Sequence, residues 1–274
     1  MTQVFVFAHN RYDSMTTSLM LEADGVDHTV LVSNPRRAEL FAAGGRCYPE
    51  RIHVTSKRDG LGTARNAALD LMEEGEWALF LVDDMKQCYE LDSYDTEPNG
   101  EIPITFENQN EYRRRFKTPI STKKLLERGI EAIPHLEAIG ANLLGWAGFE
   151  NPMFRKKRWG YNILADGRAW LIRKTHLRFD ENAQIIDDLC WTALNIREFG
   201  VVAVDRWILP DCRRYSAGGV GLIHERMEPK MKEAAYLVET YPDLITFRDK
   251  AGWPAGSHVA LRAGLHKKYP VGVS

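Results

Sequence analysis

Six consecutive apolar residues, Trp77-Ala78-Leu79-Phe80-Leu81-Val82, run straight into two adjacent acids, Asp83-Asp84. Six residues is the ordinary length of a strand, and a run with no polar alternation needs cover on both of its faces. Such a strand belongs inside a sheet sandwiched between helices. The flanking pattern agrees. Gln3–Ala8, His28–Val32 and Arg51–Thr55 read as short strands, and helical patterns over Ser14–Glu22, Arg36–Ala43 and Thr63–Glu74 separate them. Strand–helix alternation of this kind predicts an α/β fold with a mostly parallel, Rossmann-like sheet. Ligands of such sheets bind beyond the carboxyl ends of the strands, where Asp83 and Asp84 fall.

Downstream the signal is less regular. A polar stretch from about Tyr89 to Pro119 reads as an insertion, followed by a helix over Thr122–Ile139 and a Gly- and aromatic-rich segment, Gly145–Phe149. Ala169–Arg173 reads as a strand, Ile185–Phe199 as a helix closed by Gly200, and Val201–Val204 as the last clear strand. A glycine-rich turn, Gly218–Gly221, precedes a helix near Pro229–Thr240. No internal repeat or linker divides the 274 residues, so they are expected to form one domain. Within it, residues 1–88 form the more regular half, 89–225 a second half and 226–274 a helical extension.

Composition excludes several classes. A net charge of -2, from 36 Lys+Arg and 38 Asp+Glu, with 44% hydrophobic residues, belongs to a globular protein and not to a disordered chain. The four cysteines, Cys47, Cys88, Cys190 and Cys212, show no CxxC spacing, which predicts reduced thiols and a cytoplasmic protein. No apolar run reaches the ~18 residues of a membrane span, and the N-terminal run is too short for a signal peptide.

Chemistry is concentrated in three places. Gly60-Leu61-Gly62-Thr63-Ala64-Arg65-Asn66 is a glycine-rich entry to a helix, which can turn backbone N–H groups toward an anion, with Arg65 in reach of a phosphate. Asp83 and Asp84 offer hard oxygen ligands to Mg²⁺ or Mn²⁺, although acid pairs at strand ends are also common solvated turns. Asp187 and Asp188 open a helix, where the dipole alone favours acids.

In this order the segments resemble glycosyltransferases of the GT-A fold, close to the family 2 pattern. Gly62-Thr63-Ala64-Arg65-Asn66 and Val82-Asp83-Asp84 match that pattern, as do Phe179-Asp180-Glu181, Ile186-Asp187-Asp188-Leu189 and Arg197-Glu198-Phe199-Gly200. Val82 stands where the family often has an acid. Alignment to the last acidic position gives metal to Asp84 and the sugar or ribose to Asp83. The resemblance implies a divalent cation (Mn²⁺ or Mg²⁺), a nucleotide-sugar donor of the UDP type, Asp188 as general base and Asp187 as its neighbour. It also implies a donor site from Phe7-Ala8-His9-Asn10-Arg11, Asn34 and Arg65. His224, after Gly218–Gly221, stands where some members supply a third metal ligand, although a lone histidine is more often core or surface.

Basic runs lie in the second half: Arg113-Arg114-Arg115, Arg155-Lys156-Lys157-Arg158 and Arg213-Arg214, each beside an aromatic residue. Such runs are usually solvated faces, but they also suit a phosphate backbone and an unstacked base. The chain is similar in size and motif layout to the GT-A transferases associated with TET/J-binding-protein oxygenases of phages and base J synthesis. That resemblance implies DNA containing 5-hydroxymethylpyrimidine, 5-hydroxymethylcytosine above all, as acceptor, and transfer within the host cytoplasm if the gene is a phage's. A saccharide, lipid-linked or protein acceptor is the rival within the enzyme class, and a catalytically silent DNA-binding module on the same fold is the rival outside it. No membrane partner is expected, and the oligomeric state is left open.

Overall fold

The first half alternates as predicted: β1 (Gln3–Phe7), α1 (Thr16–Ala23), β2 (Thr29–Val32), α2 (Pro35–Ala43), β3 (Ile52–Val54), α3 (Leu61–Asp70) and β4 (Trp77–Val82). The structure is a computed structural model and describes residues 2–8, 12, 15–45, 47–55, 60–91, 117–148, 158–212, 227–249, 254–262 and 265. The second half comprises β5 (Met85–Leu91), β6 (Lys117–Ile120), α4 (Thr122–Ile139), β7 (Leu143–Trp146), β8 (Trp159–Tyr161), β9 (Ala169–Arg173), α5 (Asp187–Phe199), β10 (Ala203–Asp205) and β11 (Ile208–Cys212). After it come α6 (Met227–Thr240) and a hairpin of β12 (Ile245–Phe247) and β13 (Val259–Leu261).

Eight strands form one sheet in the order β3-β2-β1-β4-β9-β7-β10-β8, with helices against it. Its neighbours pair parallel except where β9 lies between β4 and β7 and where β8 closes the edge beside β10. β9 runs antiparallel to both of its neighbours, β4 and β7, although its apolar pattern is that of the parallel strands around it. The consequence for function is direct. An antiparallel β9 brings its leading residues to the carboxyl edge of β4, where the Val82 N–H donates to the Arg168 carbonyl at 3.1 Å.

Both faces of the central strands are buried, as a continuously apolar run demands. Phe5, Phe7, Ala78 and Phe80 point into one core with Trp170, Phe179 and Trp191. Val4, Val6, Leu79 and Leu81 point into the other with Phe41, Leu136 and Trp146. The period of two within β1 and β4 thus divides one apolar run between two cores.

Three sequence expectations are corrected. The polar stretch was expected from Tyr89, but β5 continues to Leu91 and leaves the large sheet to pair with β6 and β11 in a second, three-stranded one. The helix expected to reach Glu74 ends at Asp70, where the Lys174 ammonium caps the Leu69 carbonyl. A cap supplied from the end of β9 leaves no mark in the helix's own sequence. Gly145 and Trp146, read only as a glycine- and aromatic-rich stretch, belong to a central strand, β7. A Cβ on Gly145 would lie 2.6 Å from the Ala165 Cβ, so the close approach of that segment requires glycine there. Among the described residues, no helix is long and apolar enough to cross a membrane.

Candidate active site at the carboxyl edge

Asp83 and Asp84 form the turn where β4 passes into β5, between the two sheets, and they are only 3% and 4% exposed. The turn is held through α1. The Thr17 N–H donates to the Asp83 carbonyl at 3.3 Å, the Thr17 hydroxyl donates to the Val82 carbonyl at 2.7 Å, and it accepts from the Met85 N–H at 2.9 Å. Cys212 on β11 lies close by, paired in register with Met85, and its thiol is pushed up by burial and by the charges of Asp84 and Asp166.

Asp187 and Asp188 open α5 at the same edge. Three segments far away in sequence hold them there. The Glu233 carboxylate of α6 accepts from the N–H of Ile185 at 2.9 Å and of Ile186 at 2.6 Å, capping the entry to α5. Gly167 lies against Asp188, so closely that a Cβ on it would sit 3.1 Å from the Asp188 Cβ. The third hold is Arg65.

Arg65 lies in the first turns of α3, 2% exposed, and pairs its guanidinium with the Asp187 carboxylate. It also donates to the Gly167 carbonyl at 3.2 Å and stacks 4.2 Å from the Trp170 ring, with Phe179 at 5.5 Å and Phe7 at 5.7 Å. Burial works against its charge, and the charge of Asp188 works for it. This guanidinium is enclosed by protein, and its Nε has no hydrogen-bond partner among the described residues. The phosphate contact expected of Arg65 is therefore not what this geometry provides.

The glycine-rich entry to α3 is likewise turned inward. The Leu61 N–H donates to the Gln184 side chain at 2.5 Å, and a Cβ on Gly62 would meet the Asp180 carbonyl at 2.9 Å. Asn66 exchanges two hydrogen bonds with the Phe179 backbone, at 2.8 and 3.0 Å. The Ala-Arg-Asn turn and the Phe179–Asp188 segment, over a hundred residues apart, are stitched together side by side.

Asp188 is half-buried. Its carboxylate accepts from the Leu189 N–H at 2.8 Å, and its pKa is raised to about 6, by burial first and then by the charge of Asp166. Asp166 went unnoticed in the sequence. It precedes β9, and the only local cue was an Asp-Gly pair just ahead of a strand. Only the reversed direction of β9 carries it to the edge where the other acids gather.

The remaining sequence candidates divide cleanly. Asn34 stands at the end of β2 on the same edge, but its side-chain oxygen caps α2 by accepting from the Arg37 N–H at 3.0 Å. Arg158 donates to the Asp205 carboxylate at 2.8 and 3.0 Å and lies over the rings of Trp159 and Trp207. His9, Asn10, Arg11, Arg113, Arg114, Arg115, Arg155, Lys156, Lys157, Arg213, Arg214 and His224 lie outside the described residues. Among the described residues, no group of three or more His, Cys, Asp or Glu side chains is arranged to hold a metal ion. Asp83 and Asp84 fit the hard-oxygen chemistry of Mg²⁺ or Mn²⁺, which keep several water or phosphate ligands. The chain matches no family model and no curated protein sequence.

Proposed function

We propose that this chain is a metal-dependent glycosyltransferase with a GT-A-type sheet. It moves a sugar from a UDP-type nucleotide donor to the hydroxyl of 5-hydroxymethylcytosine in DNA. The observation that carries the reading is the meeting of two acid pairs, Asp83-Asp84 and Asp187-Asp188, at one carboxyl edge, with the Asp188 carboxyl raised to about 6. A carboxylate of that pKa is ionised at neutral pH and is a stronger base than an ordinary aspartate.

In a single displacement, the acceptor hydroxyl oxygen forms the new bond to the anomeric carbon while its proton passes to Asp188. The bond to the nucleoside diphosphate breaks, and its electron pair leaves with the diphosphate. A divalent cation held by Asp84 supplies charge that steadies that leaving group when bound. Asp187 has a different task from Asp188, because Arg65 occupies it.

Two further features support the reading. The segments carrying the family resemblance, Gly62–Asn66 and Phe179–Leu189, pack against each other as one unit. The DNA acceptor is supported by Arg158, Trp159 and Trp207, which reach the same edge because β8 runs antiparallel to β10, with Trp159 opposite Asp205. A basic side chain on aromatic faces suits a backbone phosphate beside an extruded base.

The test is mass spectrometry of nucleosides after incubating hydroxymethylated duplex DNA with the protein, Mn²⁺ and a panel of UDP-sugars. A hexose-sized increment on 5-hydroxymethylcytosine is expected, lost in Asp188→Asn and in Asp84→Ala. UDP release with sugar recovered only on saccharide acceptors would overturn the DNA acceptor. Tight DNA binding with no donor turnover from any nucleotide sugar would overturn the enzyme.

A further inference from the structure

Asp166 is the acid at this edge that the proposed chemistry leaves without a task, and it is unusually well fixed. Arg168, 12% exposed, donates from Nε to one Asp166 oxygen at 2.6 Å and from its terminal nitrogen to the other at 3.2 Å. The Arg168 guanidinium is in turn locked by the carbonyls of Pro210 at 3.0 Å and Ala147 at 3.3 Å. A surface ion pair between flexible side chains has no such second tier of bonds.

Two glycines bring this carboxylate close to its neighbours. A Cβ on Gly148 would lie 2.9 Å from an Asp166 oxygen, and one on Gly167 would lie 3.1 Å from the Asp188 Cβ. Gly167 follows Asp166 directly in the chain and packs against Asp188, so its backbone brings the two aspartates, 22 positions apart in sequence, to the same place. A side chain at Gly148 would crowd Asp166, and one at Gly167 would crowd Asp188.

We propose that Asp166, clamped by Arg168, is a positioning residue that confronts Asp188 with a second fixed carboxylate and so equips it as a base. The electrostatic part does not depend on the reaction, and the role as base rests on the function proposed above. The charged groups around Asp188 come from every side. Asp187 is its neighbour on α5, Arg65 faces it from α3, and Asp166 faces it from the lead of β9, while the N–H groups of Leu189 and Gly167 favour its ionised form. Arg65 is engaged with Asp187, so its charge is shared. Like charges in proximity disfavour ionisation, so the Asp166 carboxylate makes Asp188 hold its proton to higher pH. Burial is the larger force raising the Asp188 carboxyl, and Asp166 is the next.

The experiment follows the Asp188 carboxyl by ¹³C NMR in full-length protein labelled at aspartate, with the resonance assigned by its loss in Asp188→Asn. The wild-type midpoint is expected at about 6. Asp166→Asn, which keeps an oxygen for Arg168, is expected to lower that midpoint by about one unit, and Asp166→Glu to leave it near the wild-type value. Asp166→Ser serves in place of Asn should the amide disturb the fold, as judged from the amide fingerprint. An unchanged midpoint in a folded Asn or Ser variant overturns the proposal. In the transfer assay, the acidic limb of the kcat profile should move to lower pH in Asp166→Asn while KM for the donor stays the same. The titration needs no turnover, so absence of sugar transfer would sink the functional reading and leave the Asp166–Asp188 coupling to be judged separately.

Discussion

The two acid pairs at the carboxyl edge are built in opposite ways. Asp83 and Asp84 sit in a tight turn whose position is set by main-chain bonds within β4, α1 and β5, and the hydroxyls of Thr16 and Thr17 tie its flanks to α1. Asp187 and Asp188 begin a helix that has no side-chain cap of its own. Their position is imposed by Arg65 from α3, Glu233 from α6 and Gly167 from the lead of β9. The first pair rides on the sheet. The second is assembled from parts, which leaves its proton affinity open to adjustment by each part. Under the proposed function, a rigid mount suits groups that hold a cation beside a diphosphate, and an assembled one suits a base whose pKa is tuned.

The harshest way to break this contrast is to remove the charge that holds the assembled pair. Arg65→Met should destabilise the fold by about 3–5 kcal/mol in urea unfolding, because it leaves the Asp187 carboxylate buried without a partner. Arg65→Met combined with Asp187→Leu should recover most of that loss. A double variant no more stable than the single one would mean that the rings around Arg65, and not its charge, carry the site.

A smaller effect is expected at the rigid pair. Thr17→Val removes a donor to the Val82 carbonyl and an acceptor for the buried Met85 N–H, and should cost about 1–3 kcal/mol. The variant should leave the Asp188 midpoint where it was. A shifted midpoint would show that the two pairs are not mechanically separate.

The mildest test concerns pH. With its folded pKa raised to about 6 from an ordinary 3.8, Asp188 binds its proton more tightly in the folded chain than in the unfolded one. Folding stability therefore falls as pH rises from about 4 through about 6 on its account. Asp188→Asn should remove that fall, raising stability at pH 8 by about 1–2 kcal/mol, less than the full linkage value because solvent reaches the side chain, and by almost nothing at pH 4. Stability gained alongside lost transfer would mark a site that is strained for function. A gain independent of pH would sink that account.

Particular residues mark how far the sequence reads. The apolar run Trp77–Val82, the helix Thr122–Ile139 and the strand Ala169–Arg173 have the bounds that their patterns predict. Asp83 and Asp84 stand at the predicted strand end, and Gly200 closes α5 at φ 80°, a left-handed conformation that favours glycine. Each of these is written in side-chain periodicity or in a local stop signal. Arg65 was visible as a cation on a helix start but not as a buried one, because what encloses it, Trp170, Phe179 and Asp187, lies a hundred residues or more away. Asp166 was not visible as a site residue.

The sequence by itself determined that this chain forms an α/β fold around a sheet buried on both faces, and that acids gather where one of its central strands ends. Burial periodicity is a local property, and a run of side chains carries it whole. Only the tertiary structure decided which charges face each other. It set β9 antiparallel, turned the glycine-rich helix start toward the Phe179–Asp188 segment, and spent Arg65 on Asp187. It also drew α6 back to cap the helix that bears Asp188. Charge pairing acts over a few ångströms in space without regard to separation along the chain, so no local pattern records it.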